Sequence, residues 1–328
     1  TSPGDTSPTG GGTFGVRDGN SNRNGDSGGG GGTPNPCASE QPTRAREYNG
    51  QAPPGSGPTS SPVLPGSFPI RIDATQLMYR VFIIPGVTQQ VDSRVVQTIN
   101  LRPGNYGIQV QSGRYTSFGF RVTPAGRVDY DPKFDSFVSG RNDSTLTISG
   151  VPVTIDVSNL SGSGVIFANM PQTHADWIVR RQVRMVPQPG YTVQQGSGEV
   201  AAGGFNVELD GRVTYPAALD VTNGGFLRGN GTPTIEFVGY PLCIDARAMG
   251  AGSLTLDPIW GIPVSRTRLQ QVNLLPAQFF NMYVGGARSS LQFTLAADGT
   301  FSYPSSEAGN LSLTRSNGLA VLTVLKPP

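Results

Sequence analysis

Few side chains in this chain suit covalent chemistry, and their spacing decides how far each can be taken. Gly25-Asp26-Ser27-Gly28-Gly29 fits the Gly-x-Ser-x-Gly frame of a nucleophilic serine. That chemistry needs a strained turn between a strand and a helix, and this segment sits in a glycine-rich tract with neither flank. It reads as a coincidence of composition. Any triad would also need His174, the sole imidazole, which lies in an expected loop beside Asp176 and Trp177. That trio reads as a contact loop rather than a catalytic one. Gly10, Gly12 and Gly15 satisfy a dinucleotide spacing, again without the strand and helix that a phosphate site requires. Asp73, Asp156 and Asp245 recur at one place of a repeat. Gathered near a threefold axis they could hold a hard cation such as calcium through carboxylate oxygens. The simpler reading is that each caps the turn after it by accepting backbone N–H bonds, which repetition alone would produce. Arg180 and Arg184 would share one face of a strand with Arg181 between them, giving a basic stripe.

Cys37 lies in a Gly/Pro/Ser tract, and Cys243 in the apolar run Tyr240-Pro241-Leu242-Cys243-Ile244. Spacing leaves two readings open, a disulfide tying the tract to the core or two separate thiols. One His and two Cys remove most zinc, haem and Cys-His chemistry. With 24 basic and 22 acidic residues among 328, there is no electrostatic footprint for nucleic acid. No run of 18 apolar residues offers a membrane span, and the absence of an initial Met points to a removed leader. No cofactor is expected.

The elements that must position these groups fall into two regions. Residues 1–66 hold 16 of the 45 Gly and 10 of the 28 Pro and almost no aliphatic residue before Val63. Such a segment cannot bury enough apolar surface to offset its ordering entropy, so it is expected to be an arm, flexible or ordered by a partner. Residues 67–328 repeat a unit three times. Phe120-x-Val122 with Gly126-x-Val128-x-Tyr130 returns as Phe205-x-Val207 with Gly211-x-Val213-x-Tyr215, then as Phe293-x-Leu295 with Gly299-x-Phe301-x-Tyr303. A second block reads Pro69-x-x-Ile72-Asp73, Pro152-x-x-Ile155-Asp156 and Pro241-x-x-Ile244-Asp245. A looser third places Leu101, Met185 and Leu274 before a proline and then an aromatic, Tyr106, Tyr191 or Phe279. A fourth pairs apolar residues nine apart, Phe137 with Leu146, Phe226 with Ile235 and Leu313 with Leu322. The units are 69–150, 151–239 and 240–328.

Apolar and polar residues alternate with period two, so the fold class is all-β. Asp210-Gly211 and Asp298-Gly299 are hairpin turns, and the one expected helical element is a short turn opened by Asp73. Seven or eight strands per unit of about 88 residues suggest two four-stranded sheets, hence six four-stranded blades closing as a β-propeller-like ring. In that ring the strand from Pro69 to Asp73 completes the last sheet. The alternative is three tandem β-sandwich or jelly-roll-like units.

The blocks Val186-Pro187-Gln188-Pro189-Gly190-Tyr191, Phe205 to Tyr215 and Gly239 to Asp245 resemble repeats of secreted actinobacterial β-propeller-like proteins, the dispase autolysis-inducing protein group. The resemblance covers residues 69–328 and implies an extracellular, non-enzymatic protein acting by protein contact. The blade count of that group is seven, against six from the repeat arithmetic here. The functional expectation is a secreted or cell-surface structural and assembly protein, with a rigid β-scaffold and an arm linking to a protein partner or to copies of itself. A homo-oligomer or filament would follow. The alternative is a secreted protein- or polysaccharide-binding module. A glycoside hydrolase ranks behind both, because no pair of carboxylates stands out.

Overall fold

The computed structural model describes residue 37 and residues 64–77, 81–84, 90–91, 95–110, 116–162, 166–167, 180–195, 204–250, 252–256, 262–285, 287–316 and 318–325. The rest of the arm, Ser27, and the His174, Asp176 and Trp177 loop lie outside the described residues.

The fold is all-β. The first unit comprises β1 (Phe68–Asp73), β2 (Val81–Ile84), β3 (Gln90–Val91), β4 (Gln97–Leu101), β5 (Gly104–Val110), β6 (Thr116–Val122), β7 (Val128–Tyr130), β8 (Val138–Ser139) and β9 (Thr145–Ile148). The second comprises β10 (Val151–Asp156), β11 (Ile166–Phe167), β12 (Arg180–Met185), β13 (Gln188–Tyr191), β14 (Val193–Gln194), β15 (Phe205–Val207), β16 (Val213–Thr214), β17 (Leu227–Arg228) and β18 (Thr234–Phe237). The third comprises β19 (Tyr240–Asp245), β20 (Leu254–Leu256), β21 (Ile262–Val264), β22 (Gln270–Leu274), β23 (Ala277–Val284), β24 (Ala287–Leu295), β25 (Phe301–Ser302), β26 (Leu311–Ser316) and β27 (Leu319–Val324).

Each unit carries the same four-stranded sheet: β4-β1-β9-β8, β12-β10-β18-β17 and β22-β19-β27-β26. Its central pair is parallel, Ile72 beside Leu146, Ile155 beside Ile235 and Ile244 beside Leu322. The outer units add a five-stranded antiparallel sheet, β3-β2-β5-β6-β7 and β21-β20-β23-β24-β25. In the middle unit the same layer is divided into β11-β14 and β13-β15-β16.

This pairing corrects the expected closure of a ring by the first strand. Among the described residues no sheet closes on itself and no ladder joins two units. The Pro69 to Asp73 strand is not a spare left to complete the last sheet. It is held by β4 and β9 of its own unit, and β27 is already paired with β19. The turn opened by Asp73 is a single non-helical turn, and the described helical elements are 3-10 turns that follow the repeat tyrosines, such as Pro132–Phe134 and Ala217–Leu219.

Alternation builds the core between the two layers. Ile70 and Ile72 of β1, Leu146 and Ile148 of β9, and Val128 and Tyr130 of β7 are buried, with exposed or half-buried neighbours between them. One apolar core runs through the first two units and takes in Leu275, while the third unit has a core of its own. An aromatic pair crosses the large sheet in every unit: Tyr106 on Phe120 (5.5 Å), Tyr191 on Phe205 (5.5 Å) and Phe280 on Phe293 (5.0 Å), all near-parallel. The third unit thus uses Phe280, not the expected Phe279. A register shift between Ala277 and Phe280, like that between Gln188 and Tyr191, inserts one residue ahead of the aromatic.

The hairpin glycines Gly126 and Gly299 have φ of +71° and +80°, and a Cβ there would lie 2.5 Å from the Phe68 ring and 2.8 Å from the Tyr240 ring. The first residue of the unit's first strand therefore packs onto its own hairpin. Tyr240 fixes the contact by donating its hydroxyl to the Ala297 carbonyl at 2.7 Å.

Burial raises the pKa of the phenols of Tyr130, Tyr215 and Tyr240, aided by Asp135 near Tyr130, by the hydrogen bond from Tyr215 to Asp220, and by Asp298 near Tyr240. A raised folded-state pKa stabilises the fold fully below the unfolded phenol value of about 10, and that contribution is lost as pH climbs through the raised values. In an alkaline titration, part of the phenolate absorbance should therefore appear together with loss of the β circular dichroism signal. Complete phenol ionisation before any loss of that signal would contradict this.

Candidate functional site

The three repeat acids end the central strands of three different sheets. Asp73 accepts from the Thr75 N–H (3.1 Å) and hydroxyl (2.7 Å), Asp156 from the Ser158 N–H (2.9 Å), and Asp245 from the Arg247 N–H (3.1 Å) and guanidinium (2.9 Å). Each carboxylate closes the turn that follows its own strand. The Arg247 side chain holds the Asp245 carboxyl below the usual carboxylate range. Among the described residues no three His, Cys, Asp or Glu side chains gather as a metal centre.

These turns lie where one unit meets the next. Leu77 and Leu160 stand four residues beyond Asp73 and Asp156, and each reaches the junction glycine, Gly150 or Gly239. A Cβ on Gly150 would lie 2.8 Å from Leu77 Cδ2 and 2.9 Å from the Met185 carbonyl oxygen. At Gly239 the distances would be 2.7 Å to Leu160 Cδ2 and 3.0 Å to the Leu274 oxygen. With φ of +64° and +72°, both positions require glycine on two counts.

The two junctions then diverge. Between the second and third units, Ser161 N–H donates to the Asn273 carbonyl (3.0 Å), Asn273 N–H donates to Ser161 Oγ (2.9 Å), and Asn273 Nδ2 donates to the Asn159 carbonyl (2.8 Å). Gln195 completes this buried cluster, its Nε2 donating to the Ser161 carbonyl at 2.5 Å and its Oε1 accepting from Leu275 N–H at 2.8 Å. Between the first and second units there is instead a cleft of about 480 Å³, with Thr75, Gln76 and Leu77 on one wall and Arg181, Gln182, Val183 and Arg184 on the other. Arg184 Nη1 donates to the Gly150 carbonyl at 3.0 Å, and Arg180 lies 3.4 Å from Asp156. The basic stripe of the sequence is therefore β12, an edge strand facing the turn of the preceding unit.

Cys37 and Cys243 are joined by a disulfide with a Cα–Cα distance of 6.0 Å. Both are buried, and Leu319, Val321 and Leu269 pack around them. The bond sits on β19, so the arm is tied to the third unit although the chain after it begins the first. Periodicity held no signal for Ser161, Gln195 or Asn273. What marked them was the alignment of units, in which Asn273 takes the place of Arg184 and Gln195 that of Val110.

Among the described residues no helix is long and apolar enough to cross a membrane. No family model matches the chain, and neither does any curated protein or solved structure.

Proposed function

We propose that the chain is a non-catalytic extracellular scaffold, similar in kind to secreted actinobacterial repeat proteins, in which a series of β-units carries an arm that links to a neighbouring copy or a surface. The observation that carries this reading is the buried Cys37–Cys243 bond. Such a bond persists in oxidising compartments. It also gives the arm a covalent anchorage on a folded unit, which is what load passed through an arm demands. Packing at Gly150 and Gly239, and the core shared by the first two units, support a body in which neighbouring units hold a fixed relation.

The test is mass in solution across a concentration series for the full chain and for a chain lacking residues 1–36, which keeps Cys37. The full chain should gain mass with concentration and the shortened one should stay monomeric. Two monomers at every concentration would remove the assembly reading. A second reading, a secreted protein-binding module, is favoured by the cleft at the first junction.

A further inference from the structure

We infer that the outer face of the third unit's four-stranded sheet is a receptor for Cys37 that copies of this chain exchange, so that the Cys37–Cys243 bond, closed here within one chain, also closes between neighbouring chains. This rests on the scaffold reading and names a contact that joins one copy to the next.

The comparison of the three units carries the argument. At the rank of Cys243, the residues side by side across the sheet are Thr98, Arg71 and Thr145 in the first unit and Gln182, Thr154 and Thr234 in the second. In the third they are Gln271, Cys243 and Val321. These side chains stand on the face turned away from the core, because the next residues, Ile72, Ile155 and Ile244, are the buried inward ones. Arg71 is exposed, and Thr145, Thr154 and Thr234 are half-buried, as on a sheet face that meets water. Cys243 is instead fully buried, and Val321 and Leu319, two residues along the same face, are each 7% exposed. The inner layer does not require this change, since Ile72 with Leu146, Ile155 with Ile235 and Ile244 with Leu322 are alike in the three units. An apolar outer face on one unit of three marks a contact surface. Cys37 is buried against it, beside Leu319, Val321 and Leu269.

Connectivity and chemistry make the contact transferable. Cys37 is bonded to the third unit, whereas residues 38–63 lead from it to the first strand of the first unit. At about 3.3 Å per residue this connection spans roughly 85 Å when fully extended, so its length sets no bar to reaching a neighbour. Both halves of the contact belong to every copy, and exchanging identical elements between copies preserves the interactions of each. Thiol–disulfide exchange makes the step redox-neutral. A Cys37 thiolate of one chain attacks the Cys243 sulfur of another chain's bond. The new S–S bond forms as the old one breaks, and the electron pair leaves on the second chain's Cys37 as a thiolate, which carries the exchange onward. A small thiol such as glutathione opens the first bond and is regenerated when the last one closes. Because both sulfurs are buried, the step waits for Cys37 to lift from the face. Concentration decides between the two closures. A spacer of this kind gives an effective concentration of about a millimolar, so closure within a chain prevails in dilute solution and closure between chains competes where copies are crowded to that density.

The test mixes two full-length variants, Cys37→Ser and Cys243→Ser, in a buffer of reduced and oxidised glutathione, followed by alkylation and separation without reductant. Neither variant can close the bond within itself, and oxidised glutathione takes up the two electrons released when the bond forms between them. The mixture is expected to give a disulfide-linked heterodimer roughly tenfold or more above the homodimers of either variant alone, with peptide mapping that joins Cys37 to Cys243. Val321→Thr in the Cys37→Ser chain, which gives the third unit the residue found at that rank in the first two, should lower the heterodimer yield severalfold. In concentrated urea, where the face is lost, the excess over homodimer should disappear. The unaltered chain with catalytic thiol should form linked dimers in proportion to its concentration. A heterodimer no more abundant than the homodimers, a yield unmoved by Val321→Thr, or an excess that survives urea would overturn the proposal. So would the absence of linked dimers from the unaltered chain at about millimolar concentration. The mass series on the chain lacking residues 1–36 is run without thiol, where no exchange takes place, so it reports on those residues alone. Failure of the heterodimer with the concentration-dependent mass intact would leave linking through residues 1–36 standing, and the reverse result would place the link at Cys37.

Discussion

Reducing the Cys37–Cys243 bond, or replacing both cysteines by alanine, is expected to lower the thermal midpoint by on the order of 10 °C. The two residues are 206 positions apart, so the bond removes a very large closed loop from the freedom of the unfolded chain. Loop-closure entropy alone would be about 5 kcal/mol at this length, and measured disulfides more often contribute about 2–4 kcal/mol. A stabilisation of about 3 kcal/mol, at the few degrees per kcal/mol usual for domains of a few hundred residues, gives the shift stated. Much of the effect lies in the unfolded ensemble, so the folded units should keep their circular dichroism signature after reduction. Scanning calorimetry with and without reductant, and on the double alanine variant, makes the measurement. Midpoints that coincide in all three would show that the tie between arm and third unit contributes nothing to stability. A loss confined to the reductant arm, absent in the variant, would point to chemical damage instead.

How much of this was legible in the sequence differs from feature to feature, for physical reasons. The Gly126, Gly211 and Gly299 hairpins and the central strands ending in Asp73, Asp156 and Asp245 were legible because turn chemistry and period-two alternation are local properties. Strand partners were not. The parallel pairing of Ile72 with Leu146 joins residues far apart in sequence, and nothing in either segment says which edge it will meet. The closure of the ring followed from assigning the Pro69 to Asp73 strand to the last unit, when β9 of its own unit was equally able to receive it. Bulges and loop lengths misled in a similar way. One inserted residue moves the stacking aromatic to Phe280, and the hairpin of β26 and β27 is longer than its counterparts. As a result the carbonyl that accepts from the strand end belongs to Asn310, where the first two units use Phe137 and Phe226. The spacing of Leu313 and Leu322 instead reflects direct cross-strand partners. At the candidate site, Arg180, Arg181 and Arg184 were visible as a stripe, but the cleft they border was not. A cleft is a relation between two units, and no local pattern within either segment encodes it.

Replacing Gln195 by methionine is expected to detach the unfolding of the third unit from that of the other two. Gln195 is buried and bridges them, donating to the Ser161 carbonyl and accepting from the Leu275 N–H. Leu275 belongs to the third unit by sequence, yet its side chain is fully buried in the core of the first two. Methionine matches the length of glutamine and keeps the packing, but leaves a buried N–H without its acceptor and a buried carbonyl without one donor. Each group left unsatisfied costs about 1–3 kcal/mol, so the variant should lose about 3 kcal/mol, all of it at this junction. Because the third unit has its own apolar core, it can unfold alone once the bridge is gone. Calorimetry should then resolve two transitions in place of one. Gln195→Glu supplies the control for hydrogen bonding against packing. Its ionised side chain can still accept from Leu275 N–H but cannot donate to Ser161, and burial would raise its pKa. Acidification through that raised value adds a proton that can restore the donated bond, so part of the lost stability should return as pH falls, opposite to the usual acid response of a paired carboxylate. A single transition at the midpoint of the unaltered chain for Gln195→Met, with no recovery on acidification of Gln195→Glu, would show that the units are held by apolar packing at Gly239 and Leu160 and not by the buried hydrogen bonds.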